Sequence, residues 1–202
     1  MRKLLTYSML TGLALSTAAC VETAVVGGAA VIGSAALQER GIKGAASDTA
    51  VRARIVHEWN SASGVFMRDL NLQVWEGRVL VSGEIANEDL RAQAIQLAWK
   101  AEGVREVINE VEIGNAGGFR TYVVDSRIVS ELETRMKLEK GVSSVNYSTE
   151  SFNGAVYLIG VAQDQEELNR VLQLARNISG VRRVVSHVLL KDDPKRFRKP
   201  PA

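Results

Sequence analysis

This chain is poor in the residues from which most active sites are built: one cysteine, two histidines and three prolines in 202 residues. A lone thiol, Cys20, closes no internal disulfide and supplies no cysteine metal cluster. Of the histidines, His57 falls on a charged helix face. His187 alternates with valines in a strand pattern and is expected to face outward. Neither has an evident nucleophile or second ligand nearby, and the glycines mark turns without phosphate-loop spacing. Charge of one sign is lacking too: 25 Lys and Arg against 23 Asp and Glu leave +2, too little to mark a nucleic-acid binder. Long apolar runs are also absent after the N-terminus, since Ala24 to Leu37 falls short of the roughly 20 residues of a spanning helix. These absences predict no catalysis, no cofactor, no metal, no small-molecule substrate and no nucleic acid.

What is present begins with a targeting segment. Arg2 and Lys3 precede the apolar run "LLTYSMLTGLALS", and "TAAC" supplies the small residues of a cleavage site, so residues 1–19 read as a signal peptide. "LSTAAC" resembles the lipobox of bacterial lipoproteins, with Thr17 where Leu is preferred, and the resemblance implies that Cys20 is acylated. Ordinary cleavage would instead leave a free thiol, a liability in an oxidising compartment. Within that pattern Val21, in place of Asp, points to the outer membrane. Residues 20–47 are rich in Gly and Ala and read as a lipid-anchored tether, with 24–37 alternatively an interfacial segment.

The rest of the chain is written twice. With an offset of 77, residues 48–113 match 125–190 without a gap: Asp48 meets Asp125, "GRVLVSG" meets "GAVYLIG", and "GVREVINEV" meets "GVRRVVSHV". Each copy reads as helix, strand, strand, helix, strand. Val51, Ile55 and Trp59, and in the second copy Ile128, Leu132 and Met136, keep helical spacing behind Asp48 and Asp125, which suit N-caps. Glu76-Gly77 and Asn153-Gly154 are hairpin turns. Asn87 and Asp164 cap the second helices, Glu167 completes a capping box, and Gly103 and Gly180 suit the left-handed position after a helix end. The fold class is α+β, two tandem αββαβ units, each a three-stranded mixed sheet with two helices on one face. The units are 48–113 and 125–191, joined by a linker at 114–124 and followed by a basic, disordered tail at 192–202.

The second sheet face is apolar where a solvated face would be polar. Trp75 and Leu80 point away from the helices in the first copy, as do Phe152 and Tyr157 in the second. Such faces mark an interface, either between the two units or with a partner.

The αββαβ unit, the G-x-V-x-L-x-G hairpin and the closing GV-x-x-V-x-N-x-V resemble the BON domain. Val81 stands at the Leu position of the first copy and Ser186 replaces the Asn found at Asn109. The layout as a whole resembles the dual-BON outer-membrane lipoproteins of Gram-negative bacteria. That resemblance implies a protein anchored on the periplasmic face of the outer membrane, binding anionic phospholipid and supporting envelope integrity without catalysis. It also implies that the first helix of the second copy is the lipid contact. Arg127 stands where such proteins often carry an aromatic. Upstream, "FRTYVVD" gathers Phe119, Arg120, Tyr122, Val123 and Val124, a mixture suited either to a membrane interface or to a packed linker. Tyr122, Val124, Arg127 and Arg135 are therefore the expected phospholipid-binding residues. The alternative is an adaptor that binds another envelope protein through the apolar sheet faces around Trp75, Leu80, Phe152 and Tyr157.

Overall fold

The computed structural model describes residues 34–114 and 119–197, with side chains from Ser34 to Gly114 and from Tyr122 to Phe197. The signal peptide, Cys20 and most of the tether lie outside the described residues. The first unit holds α1 (Gly41–Ala62), α2 (Gly64–Asp69), β1 (Leu70–Trp75), β2 (Arg78–Ile85), α3 (Glu88–Lys100) and β3 (Glu106–Ile113). The second holds α4 (Phe119–Leu138), a 3₁₀ turn (Ser144–Asn146), β4 (Tyr147–Phe152), β5 (Ala155–Ala162), α5 (Gln165–Arg176) and β6 (Arg183–Leu190), with a last 3₁₀ turn at Pro194–Phe197.

Both sheets place the middle strand of the sequence in the centre. β2 is antiparallel to β1 and parallel to β3, and β5 is antiparallel to β4 and parallel to β6. The antiparallel pair needs only a two-residue turn, whereas the parallel pair needs a crossover, which α3 and α5 supply. Two helices cover one face of each sheet. Val51, Ile55 and Trp59 of α1 meet Val79, Val81, Ala94 and Ala98 in one core, and Ile128, Leu132 and Met136 of α4 meet Val156, Leu158, Val171 and Ala175 in the other. Trp59 is both filler and tie: its indole N–H donates to the Ala94 carbonyl at 3.0 Å, joining α1 to α3.

The two repeated aspartates do not cap helices. Asp48 lies well inside α1, which starts at Gly41, and Asp125 lies inside α4, which starts at Phe119. The ladder already serves the backbone there, so the carboxylate is free to reach the hairpin. Asp48 accepts the N–H groups of Glu76 and Gly77, each at 2.8 Å, and Asp125 accepts those of Asn153 and Gly154 at 2.7 and 2.9 Å. Both turns need this support. Glu76 and Gly77 have φ of 51° and 71°, Asn153 and Gly154 of 50° and 74°, the paired positive values of a type I′ turn. The glycine that ends the hairpin motif answers to a close approach: at Gly83, φ 120°, a Cβ would run into the Asp69 carbonyl.

α2, six residues long, is too short to carry a period of its own; Ser63 starts it, accepting the Val65 N–H at 3.3 Å. Asn87 and Asp164 do cap, accepting from Leu90 at 3.0 Å and Glu167 at 2.7 Å. The Glu167 carboxylate, however, accepts from Gln163 at 2.6 Å and from Ser143 at 2.7 Å, so it ties α5 to the loop before β4. The stretch 119–124, expected as linker, forms the first turns of α4, because nothing in it breaks a helix. Residues 41–47, expected as tether, likewise begin α1.

Candidate functional site

The outer faces of the two sheets form a third apolar cluster. Trp75 and Leu80 join Ala155, Tyr157, Ile159 and Val161, with Ile108, Phe152 and Val185 at the margin. Trp75 is 2% exposed, Leu80 1% and Tyr157 0%. Thus the two units cover these faces with one another. Residues related by the offset of 77 meet there: Glu110 Oε1 lies 2.9 Å from Nε2 of His187, its own counterpart. A residue that meets its counterpart is the mark of a two-fold relation, here between two halves of one chain. Around the cluster, Arg78 donates to the His187 carbonyl at 2.7 Å, and Arg183 links Glu112 of the first unit to the Tyr157 hydroxyl. Burial pushes the Tyr157 hydroxyl up in pKa, against the pull of Arg183.

The chain ends tighten the same arrangement. Glu39 donates its backbone N–H to Asn146 Oδ1 at 2.8 Å and accepts from Gln163 at 2.8 Å and Lys191 at 3.3 Å, all in the second unit. The Gln163 bond, with Lys191 and Arg196 nearby, lowers the Glu39 pKa against its partial desolvation. The neighbouring Arg40 turns to the first unit. Its guanidinium sits 4.0 Å from the Trp75 ring centre and pairs with Asp48 at 2.6 Å. At the other end Arg196 pairs with Glu76 at 2.6 Å, both largely buried. Part of the tail expected to be disordered is thus a 3₁₀ turn held to the first hairpin. Nothing in the composition of "QERG" or "DPKRF" marked these contacts: Glu39 and Arg196 meet partners more than a hundred residues away, and Arg40 meets Trp75 only once α1 packs on β1.

The expected phospholipid residues divide into two groups. Val124, Arg127 and Arg135 lie on the side of α4 facing the loop after α5. Arg127 donates to the Ser179 carbonyl, Arg135 to that of Asn177 at 3.4 Å, and both pair with Glu131, at 2.8 and 2.5 Å. Tyr122 lies on the other side, above a groove it shares with Met67, Asp69, Val129, Glu133 and Phe152. At the head of the helix Tyr122 is 70% exposed, Val123 50% and Val124 38%. The side chains of Phe119 and Arg120 lie outside the described residues. The corresponding positions of α1 are Ala45, Ala46 and Ser47, so the large exposed side chains at these positions belong to the second unit, while α1 exposes Ile42 nearer its start. Among the described residues no helix is long and apolar enough to cross a membrane, and no group of three His, Cys, Asp or Glu is arranged to hold a metal.

The BON domain family profile matches residues 47–115 and again 124–192. Among curated proteins, the chain is 38% identical over 129 residues to an uncharacterised Anaplasma centrale protein encoded in the gshII 5′ region, covering 63% of this chain and 85% of that one. It is 32% identical over 116 residues to the outer membrane lipoprotein DolP of Haemophilus influenzae, covering 57% of this chain and 60% of DolP. It is 24% identical over 146 residues to the osmotically-inducible protein Y of Escherichia coli K12, covering 71% and 73%. With both halves matched, and with the helix–hairpin–helix–strand plan repeated in each, this chain belongs to the BON domain family and carries two copies.

Proposed function

We propose that this is a lipid-anchored protein of the outer membrane, facing the periplasm, that binds anionic phospholipid through the head of α4 and supports envelope integrity. Acylation of Cys20 provides retention. The α4 site then selects the headgroup. One observation carries the reading: the exposed trio Tyr122, Val123 and Val124, followed by Arg127, on a unit whose twin has Ala45, Ala46 and Ser47 there. Apolar tips enter the headgroup region while arginines meet phosphates. The similarity to DolP supports the placement. Arg127 and Arg135 are both engaged with Glu131, but exposed pairs of this kind are worth about 1 kcal/mol or less, so a phosphate can exchange for the carboxylate. The adaptor reading loses most of its surface, because Trp75, Leu80 and Tyr157 are buried between the two units and Phe152 alone of the four is partly exposed.

Vesicle co-sedimentation tests the proposal. Binding to anionic vesicles should be weak and fall as salt rises, at about 1 kcal/mol per basic residue near the surface. Reversing both Arg127 and Arg135 to Glu should abolish it while circular dichroism stays native, and Arg54→Glu in the first unit should change little. Equal binding to neutral and anionic vesicles would remove the charge mechanism.

A further inference from the structure

The offset of 77 gives each surface of one unit a twin in the other, and one pair of twins shows a binding mode. In the first unit, a recess beside α1 and the end of β1 is occupied by the chain itself. Arg40 lies 4.0 Å over the Trp75 ring, pairs with Asp48 Oδ2 at 2.6 Å and donates to the Val74 carbonyl at 3.2 Å. Next to it the Glu39 N–H is received by Asn146 of the other unit at 2.8 Å. In the second unit the twin is a groove of about 600 Å³ between α4, the end of β4 and residues 67–71 of the first unit. Its walls repeat the Arg40 seat position by position. Asp125 stands for Asp48, Ser151 for Val74, Phe152 for Trp75, and Asp69 for Asn146, and all four line the groove.

The difference lies in what fills the seat. The residue at the offset position of Arg40 is Gly117, which has no side chain to offer. Asp48 Oδ2 accepts both the Glu76 N–H and Arg40, whereas among the described residues Asp125 Oδ2 accepts only the Asn153 N–H, while Oδ1 takes Ser151 and Gly154. The lining is also acidic. Asp69, Asp125, Glu133 and Glu150 face it with only Arg68 among them, and Arg68 is bidentate on Asp69 at 2.7 and 2.8 Å. Anionic lipid is repelled by such a wall, so the groove, which meets the proposed membrane contact at Tyr122, takes a ligand of opposite charge and does not rest on that reading.

We propose that the groove binds an arginine-bearing basic segment of a partner protein, seating the guanidinium between the Phe152 ring and Asp125 as Arg40 is seated between Trp75 and Asp48. Glu133 and Glu150 add attraction for neighbouring basic residues. The occupied twin supplies both the chemistry and a probe, a fluorescein-labelled peptide with the sequence ALQERGIKG of residues 36–44.

Anisotropy with the full chain in neutral detergent should show saturable binding of this peptide. Changing its single arginine to alanine should weaken binding about thirtyfold, the lower end of one cation–π contact with one charged hydrogen bond. In the protein, Glu133→Lys combined with Glu150→Gln should weaken it similarly. Neither carboxylate accepts the Asn153 or Gly154 turn bonds, and circular dichroism checks that the fold is retained. Amide resonances of Asp69, Ser151 and Phe152 should shift on titration. Equal binding of the alanine peptide, or shifts confined to other surfaces, overturns the proposal. So does binding that appears only after residues 198–202 are removed, which would make the chain's own basic tail the occupant.

Discussion

At the scale of single residues, the repeated aspartates are the clearest case of a position visible in the sequence with a role that is not. Asp48 and Asp125 stand at the head of each apolar helical period, where a cap belongs. The helices start earlier because Ala45, Ala46 and Ser47, like Tyr122, Val123 and Val124, are compatible with helix but contribute nothing to the buried stripe. Periodicity therefore locates the packed part of a helix and not its first turn. The account predicts that Asp125→Ala leaves two turn N–H groups and the Ser151 hydroxyl without their acceptor, costing about 3 kcal/mol in urea unfolding. A cap-only role would cost about 1 kcal/mol. Glu150 provides a pH test. Burial raises its carboxyl above the ordinary 4.5, outweighing the Ser151 N–H that favours the charged form. A raised folded value means that its contribution to stability is complete below about pH 4.5 and is lost as pH rises through the folded value. Glu150→Gln should thus raise the urea midpoint at neutral pH, with the gain vanishing in acid. A gain that persisted unchanged in acid would assign it to packing instead.

At the scale of elements, much was legible. The two hairpins, the caps at Asn87 and Asp164 and the two faces of each sheet all follow from period and turn chemistry. Side-chain order on α4 was not, because a list of residues on one helix does not say which share a side. Tyr122 overlooks the groove, whereas Arg127 and Arg135 converge on Glu131 and on the loop after α5. Glu131 is the brake on that pair in the lipid reading. Glu131→Gln should free both arginines and strengthen binding to anionic vesicles severalfold at low salt, with the gain fading at high salt. A loss of binding would show that Glu131 positions the arginines instead of competing for them.

At the scale of the whole molecule, the repeat explains itself as two sheets that cover each other. The apolar outer faces were visible in the sequence at Trp75, Leu80, Phe152 and Tyr157, and they gather in one cluster. The clasp made by Glu39 and Arg196 was not visible, because long-range ion pairs leave no local pattern. Together, the cluster and the clasp make one body with two unlike leading helices: α4 exposes Tyr122, Val123 and Val124 where α1 has Ala45, Ala46 and Ser47. That asymmetry is the core of the functional account, and it has a direct test. A polarity-sensitive fluorophore is attached through Val123→Cys, or through Ala46→Cys at the twin position, with Cys20→Ser in both, and the protein is mixed with anionic vesicles containing a lipid-borne quencher. The account predicts strong quenching at 123, little at 46, and loss of the 123 signal when the vesicles are neutral. Equal quenching at both positions, or none at 123 while the protein is bound, would contradict it.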